Sequence, residues 1–181
     1  MSFARVRALV VIGVLAVAAV VFVVVALVRD TQSEAVANGC PPGSVMADVA
    51  LRKPKDIKIR VYNATNRPGL ADTVSTEFKN REFQTQKPRD SKKAVDAVAR
   101  LRFGPKAVGS AHLIRAYFLG LPRENLQYDP KSKSDVVDVI IGSEFLQLAT
   151  TTEVNQSLAA MGEPAVPPGA CPAPPPKDSA K

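Results

Sequence analysis

The sequence predicts an α/β fold: an α+β two-layer domain with a β-α-β-β-α-β core and a C-terminal helix, preceded by one transmembrane helix. Three observations lead there. Residues 8–28, ALVVIGVLAVAAVVFVVVALV, hold no charged, amide, hydroxyl or proline side chain. Downstream, stretches of alternating apolar residues are followed, twice, by stretches with three- and four-residue apolar spacing. The chain's two cysteines, Cys40 and Cys171, stand outside these periodic stretches, one at each end.

The apolar run sets the geography. At about 1.5 Å per residue its helix is roughly 31 Å long, the thickness of a bilayer's hydrocarbon core. In lipid every backbone polar group must be satisfied within the segment, which selects helix. Arg5 and Arg7 precede the run without an acid, whereas Arg29 is offset by Asp30 and Glu34. Positive charge stays on the cytoplasmic side, so the N-terminus is expected inside and the domain outside. A rival reading is a cleaved signal peptide, with Ala35-Val36-Ala37 as its cleavage pattern, but the run exceeds the usual h-region of about 7–15 residues. Lipid attachment at Cys40 is disfavoured, because Ala37-Asn38-Gly39 is a poor lipobox. On each of these readings the domain is exported. The expected organisation is a cytoplasmic terminus (1–7), a membrane span (8–28), a linker (29–49), an α/β domain (50–163) and a proline-rich tail (164–181).

The elements follow in order. Residues 40–49 read as irregular, with Pro41-Pro42-Gly43 forcing a turning path. Residues 57–63, IKIRVYN, alternate as a half-buried strand. Leu70, Ala71, Val74 and Phe78 mark an amphipathic helix to about residue 81, with Pro68 at a first-turn position. Residues 83–87 form a short strand with Phe83 inward, and 88–93 a charged loop. Residues 98–103 give a third strand. Gly104-Pro105 opens a second helix carrying Val108, Ala111 and Leu113, closed by Gly120. Residues 121–134 read as a charged, turn-rich loop. Residues 136–141, VVDVII, are the near-continuous apolar run of a central strand buried on both faces. Thr150 and Glu153 have capping-box spacing ahead of a last helix ending at Gly162. The tail beyond Cys171 reads as disordered.

A formal charge of +7 and a pI near 9.6 would suggest nucleic acid for a cytosolic protein. An exported domain instead meets the membrane surface, anionic wall polymer, peptidoglycan or lipid, along with envelope protein partners, so no nucleic acid is expected. Export makes a Cys40–Cys171 disulfide the default, because only one intramolecular pairing exists. The loop it closes corresponds to about 5 kcal/mol at most in the chain-entropy model. Free or intermolecular thiols are the alternative.

No catalytic constellation is visible. His112 is the single histidine and reads as a packed or surface residue; Ser110, two residues earlier, falls on a different side of the helix. Asp138, inside an apolar strand, is expected to pair with a neighbouring arginine such as Arg60 or Arg102. No metal cluster, phosphate loop or cofactor motif is present. The candidate binding residues sit in two strand-to-helix loops: Asn63, Thr65, Asn66 and Arg67 in the first, Gly104 and Lys106 in the second. Each loop leads to a helix N-terminus, which favours anions. If the two halves run parallel, both loops fall at one end of the sheet. The plainer alternative is that Asn63 and Thr65 only shape the turn and cap the helix.

Residues 61–71, VYNATNRPGLA, resemble the start of the LytR C-terminal domain family, where a strand runs into V-x-N-x-T-x-x-x-G-L-A and a helix. Residues 102–105 with their helix, and 136–142 followed by Phe145, are similar to later strands of that family. The resemblance implies an actinobacterial cell-envelope protein needed for envelope integrity, with no well-defined ligand. In many relatives the domain trails a catalytic domain that transfers glycopolymers to the wall; none is expected here. The function expected is therefore non-enzymatic binding or scaffolding of envelope components. Its rivals are an enzyme or accessory subunit acting on wall polymer, and a receptor for a defined lipid or peptidoglycan ligand.

Overall fold

The computed structural model of the chain describes residue 7, residues 12–21, residues 40–41 and residues 43–174. It divides into two units, Met1–Gly43 and Ser44–Lys181. In the first, residues 12–21 are helical and exposed. Among the described residues no helix is long and apolar enough to cross a membrane; the rest of the expected 8–28 span lies outside them. Cys40 and Cys171 are disulfide-bonded.

In the second unit the chain forms β1 (Val45–Ala47), β2 (Lys58–Asn63), α1 (Leu70–Asn80), β3 (Gln84–Thr85), β4 (Arg89–Asp90) and β5 (Ala99–Phe103). It continues through α2 (Val108–Ala116), β6 (Leu126–Tyr128), β7 (Val136–Ile141), α3 (Thr151–Met161) and β8 (Ala170–Pro172). The main sheet runs β3–β2–β7–β5–β6, and β4 extends the β3 edge. β3 pairs with Lys58 and Ile59, β4 with Tyr62 and Asn63, so two short strands share the outer edge of β2. β2 and β7 are parallel, β5 is antiparallel to β7, and β6 is parallel to β5. α1 and α2 thus each serve as the crossover of a parallel unit, β2-α1-β3 and β5-α2-β6. β7 is inserted between the two units.

The apolar periodicity explains which faces are buried. Ile59 and Val61 of β2, Val137, Val139 and Ile141 of β7, and Ala99, Leu101 and Phe103 of β5 lie on one face. They pack in one core with Ala71, Val74 and Phe78 of α1 and Val108, Ala111 and Ile114 of α2. Phe78 is fully buried, with its ring centroid 5.3 Å from Phe83 and 5.7 Å from Tyr117. Gly142 ends β7 where a Cβ would come within 2.1 Å of the Ala97 carbonyl oxygen. Only glycine allows that approach.

Several boundaries differ from the sequence reading, each for a local reason. The 40–49 stretch contains β1, and the tail contains β8; the two pair in parallel, Met46 opposite Cys171. The 88–93 loop contains β4. The 121–134 loop contains β6, whose three residues take their hydrogen bonds from β5. Pro68 lies ahead of α1, not in its first turn: Pro68-Gly69 make a turn with Gly69 at φ +74°, and Thr73 donates to the Gly69 carbonyl at 3.1 Å. α2 stops at Ala116, short of Leu119, which has positive φ. The capping box at α3 is formed in both directions, with the Thr150 amide donating to Glu153 Oε2 at 2.7 Å and Thr150 Oγ1 accepting from the Glu153 amide.

Replacing Phe78 by alanine removes the ring that joins α1 to Phe83 and Tyr117. The expected cost is about 3–5 kcal/mol in chemical denaturation of the full chain in detergent.

Candidate functional site

The first strand-to-helix loop is closed upon itself. Asn63 is buried; its Nδ2 donates to the Arg67 carbonyl at 2.8 Å, and its Oδ1 accepts from the Thr65 amide at 3.0 Å and the Thr65 hydroxyl at 2.7 Å. Thr65 Oγ1 in turn accepts from the Arg67 amide at 3.1 Å. Arg67 Nη2 donates to the Phe145 carbonyl at 2.6 Å, which ties the loop to the turn after β7. Asn66 is exposed. The Asn and Thr side chains thus satisfy backbone groups that a sharp exit from β2 leaves without ladder partners.

The second loop differs. Gly104 is buried against Ser132, whose Cβ lies 2.8 Å from where a glycine-to-alanine Cβ would sit. Lys106 is exposed and lines a polar recess with Asp48, Arg52, Asp56, Ser110 and Asp135. The expectation that both loops share one end of the sheet is corrected by the topology. β5 runs antiparallel to β7 while β2 runs parallel to it, so Asn63 and Gly104 leave opposite ends.

The other face of the sheet carries the charge. Residues alternate across the pleat, so Lys58, Arg60 and Tyr62 of β2, Asp138 and Ile140 of β7, and Arg100 and Arg102 of β5 point away from the helices. Asp138 is the buried hub. It accepts from Arg60 Nε at 2.9 Å on Oδ1, and from Arg102 Nη2 at 2.7 Å and Nε at 3.1 Å on Oδ2. Both arginines of the sequence expectation pair with it at once. Their guanidinium carbons lie 5.4 and 5.7 Å from the Tyr62 ring centroid, a cation–π arrangement. The Asp138 hydrogen bond raises Arg102's hold on its proton, burial opposing. Lys58 donates to Asp135 at 2.8 Å, and that bond is the main reason the Asp135 carboxyl lies below its ordinary range. Arg89, opposite Tyr62, is exposed. Arg100 Nε is buried and has no hydrogen-bond partner. Five cations and Asp138 therefore share the helix-free side of the sheet, with Asp135 paired to Lys58 at its end. Sequence alone could not assemble this set, because strand order decides which residues become neighbours.

Ser110 and His112 line different recesses. His112 Nε2 lies 3.0 Å from the Gly162 carbonyl, which its neutral N–H can donate to. Burial holds the imidazole below its ordinary range, Arg115 pushes the same way, and the Gly162 carbonyl opposes. Among the described residues no group of three or more His, Cys, Asp or Glu is placed to hold a metal ion.

The profile of the LytR C-terminal family, described as LytR cell envelope-related transcriptional attenuator, matches residues 56–145. The chain is similar to the cell envelope integrity protein Cei of Mycobacterium tuberculosis, 28% identical over 172 residues that cover 84% of this chain and 78% of Cei. Its fold is similar to the crystal structure of the soluble domain of a conserved hypothetical secreted protein from Mycobacterium marinum. The TM-score is 0.52 at 23% identity, over 65% of this chain and 83% of that one.

Two outcomes are expected here. Alanine at both Thr65 and Arg67 lowers stability by about 1–3 kcal/mol, because it strips internal hydrogen bonds of the loop, one of them charge-assisted; thermal denaturation reads this directly. For His112, a depressed folded pKa means the unfolded chain binds the proton more readily. Its contribution is therefore intact above about pH 6.5 and lost as pH falls below it. The melting temperature of His112→Gln accordingly falls less between pH 7.5 and 5 than that of the parent.

Proposed function

We propose that the chain, whose residues 56–145 match the profile of the LytR C-terminal family, is a membrane-anchored, non-enzymatic, extracytoplasmic protein that supports cell-envelope integrity by holding an anionic wall polymer. The observation that carries the binding role is the helix-free sheet face, where Lys58, Arg60, Arg89, Arg100 and Arg102 outnumber Asp135 and Asp138. Asp138 fixes two of the guanidiniums rigidly beside Tyr62, which lowers the ordering cost of engaging a polymer. Arg100 and Arg89 are left to meet phosphate or carboxylate groups, the charges to which a guanidinium fork is best matched.

The placement is supported independently. The 8–28 run with Arg5 and Arg7 before it reads as an N-in anchor. The disulfide between Cys40 and Cys171 suits an oxidising compartment. The similarity to a protein named for cell-envelope integrity, and to the fold of a secreted protein's soluble domain, agrees with both.

Two measurements test this. Reporters fused to the C-terminus should be active only outside the cytoplasm. The detergent-solubilised full chain should co-sediment with an anionic wall glycopolymer and not with a neutral glucan, with affinity falling as salt rises. The Arg89→Gln, Arg100→Gln double variant, which removes both charges without introducing a carboxylate beside the buried Arg100 Nε position, should weaken that binding about tenfold, with the melting temperature followed alongside. Undiminished binding by the double variant would remove the sheet face from the reading, and a cytosolic reporter signal would remove the placement.

A further inference from the structure

At the β6 edge of the domain lies a cavity of about 380 Å³. That volume falls within the range of small-molecule sites, roughly 300–1,000 Å³. Its lining comes from three parts of the chain. Phe103 and Leu126 come from β5 and β6, and Val108 and Ala111 from α2; Val166 and Pro167 come from the proline-rich strap after α3. The strap is held at both ends, at Gly162 by the His112 hydrogen bond and at Ala170–Pro172 by pairing with β1. It is a fixed wall of the cavity.

The polar groups in this apolar setting are the informative ones. Arg115 and Arg123 both line the cavity, and among the described residues neither has a carboxylate within salt-bridge distance. Glu163, the single acid of the lining, pairs with neither. Arg115 Nε donates to the Leu121 carbonyl, and burial, then the charge of Arg123, lower its hold on its proton. The Tyr128 hydroxyl, also in the lining, is buried without a hydrogen-bond partner. A buried hydroxyl without a partner costs free energy that a ligand oxygen would recover.

We propose that this cavity binds an amphiphile with a single apolar chain and an anionic head, the chain among Phe103, Leu126 and Val166 and the head between Arg115 and Arg123. A neutral hydrocarbon would leave both guanidiniums without a counter-ion, and a cationic head would be repelled by them. A bare inorganic anion would leave the apolar lining empty. The site is distinct from the sheet face and stands or falls independently of polymer binding there.

The test uses the full chain reconstituted in phosphatidylcholine vesicles with a small fraction of a diazirine-bearing alkyl phosphate, photolysed and mapped by peptide mass spectrometry. Adducts are expected on the 103–128 and 161–168 peptides. Excess dodecyl phosphate should compete them away, whereas dodecanol and inorganic phosphate should not. Arg123→Gln, on an exposed turn, should cut labelling about tenfold while leaving labelling by the matching alkyl alcohol unchanged. Val166→Asp, in the strap, should reduce labelling by both probes. Both variants should keep the parent melting temperature. Adducts confined to 8–28, equal labelling by the alcohol, or competition by inorganic phosphate alone would each overturn the proposal.

Discussion

The sheet depends on a carboxylate in the middle of its most buried strand. β7 is bonded along both edges and buried on both faces, yet Asp138 stands among valines and isoleucines with 7% of its surface exposed. A lone carboxylate in such a place would cost several kcal/mol. Here the two flanking strands each present an arginine at the same register level, Arg60 opposite Asp138 on one side and Arg102 on the other. The charge is thus satisfied only when β2, β7 and β5 lie side by side in this order and register. A slip of one residue on either side would turn the arginine to the helix-covered face. The ion triad is therefore a reading device for strand order, whatever its net contribution to stability.

That order has a consequence at the ends of the sheet. Because β7 joins one parallel unit to another of opposite direction, the two strand-to-helix loops leave from opposite ends. Asn63, Thr65 and Arg67 spend their polar groups on one another and on the Phe145 carbonyl. The chemistry available to a partner shifts to the broad face the helices do not cover, and to the edge where β6 and the strap meet α2. The two places differ in kind: one is a charged, aromatic surface, the other an apolar recess with two guanidiniums.

The ends of the domain are joined in the same spirit. β1 and β8 are three residues each, too short to persist alone. They are held by each other, Met46 opposite Cys171, with the disulfide at Cys171 and the Asp48 amide bonded to Pro105. The small sheet fixes where the proline-rich strap ends, as the His112 contact at Gly162 fixes where it begins, and the two together set the wall of the cavity.

Much of this was legible in the residues themselves. The alternation of 57–63, the spacing of Leu70, Ala71, Val74 and Phe78, the unbroken VVDVII run and the Thr150–Glu153 capping box act within a few residues, and local geometry decides them. An arginine partner for Asp138 was also legible, because a charge in an apolar strand must be answered. Strands β1, β4, β6 and β8 were not, since two or three residues carry no period and take their identity from the strand beside them. Nor was the separation of the two loops, the basic face or the cavity. Each joins residues tens of positions apart, and which of them meet is fixed by strand order, a property of long-range packing that no local window contains.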